Sequence, residues 1–420
     1  MFPDYLGLGL GILIKSFGLY FTVISLCYFF KKPEPFPHMA PSTKFACLIP
    51  ARNEEAVIGD LISCLLNQNY PKELIDVFVI PNNCTDCTES ISKKAGAHII
   101  RAGSDVKSKG AALNRAIRRL LPDSQYDAFL IFDADNVLNS DYLSAMNDAL
   151  ASGARICKSK MESKNPYDSW VSGCYGLYFE LFNKFFNTPR AALGLSPKLV
   201  GTGMAVKRDV FIKMGGWNTE TIAEDTEFSA ECALRREQVS WVPGAIAYDE
   251  SPISFSISLI QRKRWISGIM DVAIIKIGDL VRELCLKHYY SSSQKGLVLD
   301  SIMILLAPFF QVISVLPGAI LFASATVKDT GMLYIHAVLL GLIISFSAAF
   351  AFALMLASSS RYDTKFMLKA AFMFPIFTAS WVPLAIVSCI NRTTEWKEIK
   401  HTRSASFSHG STHASAGYTS

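Results

Sequence analysis

Apolar residues fall into two kinds of block along this chain. Between Lys44 and Asp135, short apolar runs alternate with amphipathic stretches, while long unbroken apolar segments lie at the amino end and through the carboxyl half. Phe45–Pro50, Ile75–Ile80, His98–Ile100 and the run at Phe129 read as strands, and Lys109–Leu121 reads as a helix. Asn53-Glu54-Glu55 reads as a helix start, because acids in a first turn suit the helix dipole. Pro81–Asp86 reads as a turn leading into a helix through Ala95. Strands alternating with helices predict a parallel, doubly wound sheet.

The long segments predict a membrane protein. Tyr5–Phe30 holds about 26 residues, enough to span a bilayer as a helix. Its apolar side chains are worth roughly −4 to −8 kcal/mol on the insertion scale, against at most about +3.5 for Lys15, so insertion wins. Asp4 precedes it and Lys31-Lys32 follow, which places the next segment in the cytoplasm. Gly296–Val327 and Met332–Ala357 are two further expected spans, joined by a turn at Lys328–Gly331. Ala370–Ile390 is long enough to cross, but Pro375 and Pro383 break a straight helix and basic residues flank both ends. It is expected not to cross as one straight helix. Ser256–Lys287 is apolar but carries Gln261, Arg262, Lys263, Arg264 and Trp265, a pattern of amphipathic helices lying in the interface. The expected organisation is an anchor over 1–32, a cytoplasmic domain over 33–255, interface helices over 256–290, membrane helices over 291–403 and a disordered tail over 404–420.

Composition narrows the class. Half of the 420 residues are hydrophobic and 18% are charged, too apolar for an ordinary soluble protein. The formal charge is only +5, with no basic tract carrying interleaved aromatics, so nucleic acid is not an expected partner. Ten cysteines are scattered; Cys84 and Cys87 form a lone C-x-x-C with no second pair, which argues against zinc and for a reducing compartment.

Candidate chemistry centres on Phe129-Leu130-Ile131-Phe132-Asp133-Ala134-Asp135-Asn136. A buried strand that ends in acids puts them at the carboxyl edge of its sheet, where ligands sit in open α/β sheets. Buried acids are costly unless paired or bound to a cation. A divalent metal carrying a diphosphate would account for them; a surface turn is the bland alternative. Glu224-Asp225, downstream of Gly215-Gly216-Trp217, and Tyr248-Asp249-Glu250 are further acidic clusters.

Taken in order, Ile49-Pro50-Ala51-Arg52-Asn53-Glu54-Glu55, Asn83-Cys84-Thr85-Asp86, Lys109-Gly110 with Leu113-Asn114, Asp133-Ala134-Asp135, Gly201-Thr202-Gly203, Gly215-Gly216-Trp217, Glu224-Asp225 and Gln261-Arg262-Lys263-Arg264-Trp265 resemble the membrane-embedded glycosyltransferases of family 2. Cellulose, chitin-oligosaccharide, hyaluronan and poly-N-acetylglucosamine synthases belong there. The resemblance covers about residues 5 to 403. It implies a cytoplasmic α/β GT-A domain, Rossmann-like with a mostly parallel sheet, combined with transmembrane α-helices in a multi-pass protein of the cell membrane. It also implies a nucleotide-sugar donor, usually carrying UDP, with inversion at the anomeric carbon and, for many members, export of the product.

Residue roles follow from the same resemblance. Asp133 would contact the nucleoside side of the donor, and Asp135 would bind Mg²⁺ or Mn²⁺ on the diphosphate. Asp225 would be the general base, with Glu224 beside it. Ala51, Arg52, Glu54, Asn82 and Asp86 would line the nucleotide pocket, and Lys109 would approach the phosphates. Gly201 and Thr202 would lie by the acceptor; Gln261, Arg264 and Trp265 would hold the diphosphate and the acceptor end. Asn82 stands where many relatives carry Asp, which puts UDP preference in question, and Ala223 stands where Thr is frequent. The expected acceptor is a growing saccharide; a single transfer to lipid, of ceramide-glucosyltransferase type, is the alternative, and a non-enzymatic Ca²⁺-binding membrane protein is a third. Accessory subunits stay open.

Overall fold

The computed structural model describes residues 2–286, 291–327 and 330–393. The tail expected to be disordered, and Lys328 and Asp329 of the expected turn, lie outside these residues. Helix α1 (Phe2–Leu26) precedes an eight-stranded sheet. Its strands are β1 (Phe45–Ala51), β2 (Ile75–Pro81), β3 (His98–Ile99), β4 (Ala128–Ile131), β5 (Val137–Leu138), β6 (Ile156–Ser163), β7 (Met204–Lys207) and β8 (Val239–Asp249), in spatial order β3-β2-β1-β4-β7-β6-β8-β5. The first four are parallel, as are β6 and β8; β7 runs antiparallel between β4 and β6, and β5 antiparallel on β8. The sheet is therefore mixed, with the expected parallel half intact.

Period-two alternation sends each central strand to two cores. Phe45, Cys47 and Ile49 of β1 and Leu130 of β4 pack on one side with α2 (Ile58–Leu66), where Ile58, Leu61, Ile62 and Leu65 make the buried stripe. Helix α3 (Thr88–Lys94) packs on the same side, with Ile91 against this core. On the other side, Leu48, Phe129 and Ile131 meet Leu113, Ala116 and Ile117 of α4 (Lys109–Leu120). Burial on both faces explains the continuous apolar run before Asp133. One expectation is corrected here: Asn53-Glu54-Glu55 does not start a helix. Asn53 is left-handed (φ 56°), its Oδ1 accepts from the Thr85 amide at 2.8 Å, and Glu55 accepts from the Cys87 amide at 2.8 Å. These side chains hold the neighbouring loop, and α2 begins at Ile58.

The remaining helices of this domain are α5 (Tyr142–Ala151), α6 (Trp170–Leu181), α7 (Thr188–Ala192), α8 (Arg208–Met214) and α9 (Glu224–Leu234), with a π-helix at Phe182–Asn187 joining α6 to α7. In place of several interface helices there is one 32-residue helix, α10 (Phe255–Leu286). Then come α11 (Ser292–Ile313), α12 (Val315–Val327), α13 (Gly331–Ser358), α14 (Thr364–Ala379) and α15 (Trp381–Ile390).

Among the described residues, four segments are long and apolar enough to cross a membrane: Asp4–Phe29, Gln294–Thr326, Gly331–Ser358 and Thr364–Ile390. The last is two helices, broken at Ser380. Its amino end meets the sheet domain, where the Asp363 amide donates to Tyr167. Its carboxyl end meets α10, where Arg392 pairs with Asp271 at 3.0 Å.

Candidate active site

The carboxyl ends of β1, β2 and β4 deliver Ala51, Asn82 and Asp133 to one edge of the sheet. Lys109, first residue of α4 after the Ser108 N-cap, reaches across this edge. Its Nζ donates to Asp133 at 2.6 Å and to the Gly201 carbonyl at 2.6 Å, and lies 3.2 Å from Glu224. Burial alone would lower the basicity of Lys109; Asp133 and Glu224 outweigh it and hold the ammonium group charged. Burial pushes the Glu224 carboxyl up against the pull of Lys109, and Asp225 and Asp133 add to the rise.

Asp225 occupies the first turn of α9. One carboxylate oxygen accepts from the Gly201 amide at 2.6 Å and the other from the Thr226 amide at 2.6 Å. The helix dipole adds a favourable field for an anion there. The Gly201-Thr202-Gly203 turn thus touches both acid groups: Thr202 Oγ1 also accepts from the Asp133 amide at 3.0 Å and donates to Asn136. A Cβ at Gly201 would sit 3.1 Å from Asp133 Oδ2 and 3.6 Å from Lys109 Nζ, so this position keeps space open in front of the acids.

Other expected site residues take up structural positions around this centre. Asp135 is buried (5% exposed) behind Asp133 in sequence. Asp86 accepts from the Glu55 amide at 3.0 Å and from the Thr88 hydroxyl at 2.6 Å; burial opposes its ionisation, but these bonds win and hold it below the usual carboxylate range. Glu54 donates its amide to Thr88 Oγ1, and Arg52 is half-buried in the same loop. Asn82 is buried, its amide bonded to the Ala51 carbonyl at 2.9 Å.

Of the Gln261–Trp265 segment, Arg264 lies in the field of the acids, while Gln261 and Trp265 pack against neighbouring aromatic residues. Gln261 accepts from the Tyr175 hydroxyl at 2.8 Å. Arg264 is half-buried in the field of Glu224, Asp133 and Asp225; desolvation lowers its basicity, and the acids counter it. Trp265 is stacked on Trp381 (centroids 6.4 Å apart), which is stacked on Tyr178 at 5.8 Å. The α10 backbone comes close to the acids because Gly268 faces Ala223, where a Cβ would be 2.6 Å from the alanine's own. That close approach is a physical reason for a small residue at 223.

Several residues escape sequence reasoning. Asn136 links Thr202 to Asp249 (2.9 Å), Lys158 donates to the Thr202 carbonyl (2.7 Å), and Arg262 is fully buried against α14. The acid–acid spacing signals none of them. A cavity of about 330 Å³ lined by Glu220, Glu227, Glu231 and Lys276, among others, holds none of the expected site residues.

No group of three His, Cys, Asp or Glu side chains able to hold a metal ion is present among the described residues. A magnesium or manganese ion carried on a diphosphate needs only one or two carboxylates from protein. The open space before Gly201 and the acids around it fit that arrangement.

Comparison with known proteins places these observations. The family described as glycosyltransferase like family 2 matches residues 41–268. A probable glycosyltransferase of Bacillus subtilis, YdaM, is 24% identical over 87% of this chain and 85% of its own length. A beta-monoglucosyldiacylglycerol synthase of Nostoc is 29% identical over 53% of this chain and 48% of its own. The mannosyltransferase PcManGT from Pyrobaculum calidifontis, solved with GDP-Man and Mn²⁺, shares the fold with a TM-score of 0.64 at 16% identity, over 93% of this chain and 99% of that one.

Proposed function

The chain belongs to glycosyltransferase like family 2, and on that premise we propose that it moves a sugar from a UDP-linked donor to an acceptor hydroxyl, with inversion at the anomeric carbon. The observation that carries this reading is the acid cluster at the sheet edge, with Asp225 held by two backbone amides and Lys109 set between Asp133 and Glu224.

A sugar hydroxyl is a weak nucleophile and needs a base. Asp225 takes that role, its carboxylate oriented by the Gly201 and Thr226 amides and aimed across the open space in front of Gly201. Departure of the diphosphate builds negative charge, which Lys109 and Arg264 are placed to stabilise. Asp135, with Asp133 beside it, would hold Mg²⁺ or Mn²⁺, which supplies charge neutralisation on the diphosphate when bound. Ala51, Arg52, Glu54, Asn82 and Asp86 form the nucleoside side. Attack from the base side, opposite the leaving group, is a single displacement and inverts the centre.

The acceptor is a growing saccharide held near Trp265, and transfer is coupled to export across a cell membrane, with the catalytic domain in the cytoplasm. Trp265, half-buried and next to Arg264 on α10, supports this, since a sugar ring stacks well on an indole face. A second reading, one sugar added to a membrane lipid, draws support from the Nostoc relative and from the packing of both ends of 364–390 on the rest of the protein. Asp225→Asn decides the chemistry: transfer is expected to fall by roughly 10²–10⁴-fold with UDP affinity kept. Equal loss of both would make Asp225 a donor-binding residue. Sizing the labelled product separates polymer from single-sugar lipid.

A further inference from the structure

Lys158 is a lysine with no exposed surface, on β6, and the reaction described above does not use it. Its Nζ donates to the Thr202 carbonyl at 2.7 Å. A Cβ at Gly203 would lie 3.3 Å from the same nitrogen, and Gly203 is left-handed (φ 68°), so the turn is folded tightly around the ammonium group. Burying a lysine for one carbonyl bond is expensive, and the sheet here could have carried an apolar residue at no such cost.

The turn that Lys158 grips joins the two halves of the acid cluster. Gly201 gives its amide to Asp225 and its carbonyl to Lys109, while Thr202 binds the Asp133 amide through its hydroxyl. On the β4 side the turn is held by the Gly203 amide on the Ile131 carbonyl at 2.9 Å and by Thr202 on Asn136; from β6 it is held by Lys158. The ladder between β6 and β7 ends at Lys158 and Met204, with the Ser159 amide bonded to the Gly203 carbonyl at 2.9 Å. Beyond that point the Lys158 side chain extends the hold of β6 to the Thr202 carbonyl.

We propose that Lys158 is a positioning residue of the active site, clamping the Gly201-Thr202-Gly203 turn and so setting the separation of Asp225 from Asp133. This rests on the reading of those acids as the transfer machinery. Asp249 of β8, Asp225 of α9, Asp133 after β4 and Lys109 of α4 act on Lys158 electrostatically. Burial pushes its pKa down to about 7, against the pull of the three acids.

Lys158→Met keeps length and removes the donor. In the full-length protein in membranes, kcat is expected to fall about 10²-fold, the effect of a misplacement of roughly 1 Å, with the donor KM unchanged. Amide hydrogen exchange over 199–204 is expected to accelerate while that of β1 and β4 stays as in wild type. Lys158→Ala provides the second arm: propylamine in the buffer is expected to restore part of its kcat, whereas propanol is not. Wild-type kcat and wild-type exchange over 199–204 in Lys158→Met would overturn the proposal, as would an alanine variant indifferent to amine. A wild-type protein that transfers no sugar at all would instead sink the proposed function, and the exchange comparison would still decide what Lys158 does.

Discussion

Asn82 shows how one atom can alter donor choice. Its carbonyl oxygen accepts from the Asn83 side chain at 3.0 Å, and Asn83 is fixed in turn on the Val106 carbonyl at 2.8 Å. The group left to meet a nucleobase is the amide NH₂, a donor, where aspartate would present only acceptors. Asn82→Asp is expected to raise UDP against CDP in competition assays with UDP, GDP and CDP, because uracil N3 carries an N–H where cytosine N3 is an acceptor. An unchanged ranking would show that position 82 does not face the base. At this scale, much of the site was legible. Asp133 and Asp135 stand out because a run buried on both faces stops at acid, and Lys109 because it opens an amphipathic helix. Lys158 was hidden because Ile156–Ser163 mixes polar and apolar residues, yet most of it is buried on both faces. Lys158 and Ser163 meet partners far away in sequence, Thr202 and Ser251, which spacing cannot reveal.

Among the elements, the broken pair α14–α15 has its cause in another helix. Arg262 of α10 donates to the Phe377 carbonyl at 2.9 Å and to the Ser380 hydroxyl at 2.8 Å, at the break itself. Its guanidinium also lies over the Phe377 ring, 4.2 Å from the centroid. Burial lowers the basicity of Arg262, and the carbonyl it serves is one that an interrupted helix exposes. Pro375 and Pro383 were legible as breakers. The partner that satisfies the break was not, because Gln-Arg-Lys-Arg-Trp does not say which arginine faces the acids and which faces the membrane helices. Arg262→Met leaves that carbonyl dependent on Ser380 alone, a loss on the order of 1–3 kcal/mol. Faster exchange and proteolysis across 376–384 are expected, with UDP affinity intact. Protection equal to wild type would mean that the prolines hold the break unaided. The helix expected at Asn53 was misread for a related reason: residues typical of a helix start were capping a loop from the next strand.

For the whole molecule, polar contacts tie the long helices to one another and to the sheet domain. Arg190 makes a two-pronged pair with Asp300 of α11, at 2.9 and 3.1 Å, and Tyr20 of α1 donates to the same carboxylate at 2.8 Å. Near the other end of α1, Ser324 of α12 donates to Asp4 at 2.6 Å, so α1 runs antiparallel to α11–α12. The turn between α13 and α14 is held by Lys184 on the Ser359 carbonyl (2.6 Å) and by Arg361 on Glu162. The segment 364–390 therefore starts and ends against the catalytic unit, although its length and composition would let it cross. The topology we propose has three crossings, with the carboxyl terminus on the same side as the catalytic domain. A reporter active only outside the cytoplasm, fused after Arg403, is expected to be silent; a strong signal would establish four crossings. Candidate span lengths were legible from apolar runs, whereas the packing of 364–390 depends on pairs such as Arg392 with Asp271 that join distant parts of the chain. The most direct test of the account is a panel of radiolabelled nucleotide sugars supplied to membranes holding the wild-type chain with Mn²⁺. The account predicts that one UDP-linked sugar is consumed, with UDP released in step with incorporation and the anomeric centre inverted. Consumption of none of the panel, or a product that retains the donor's configuration, would contradict it.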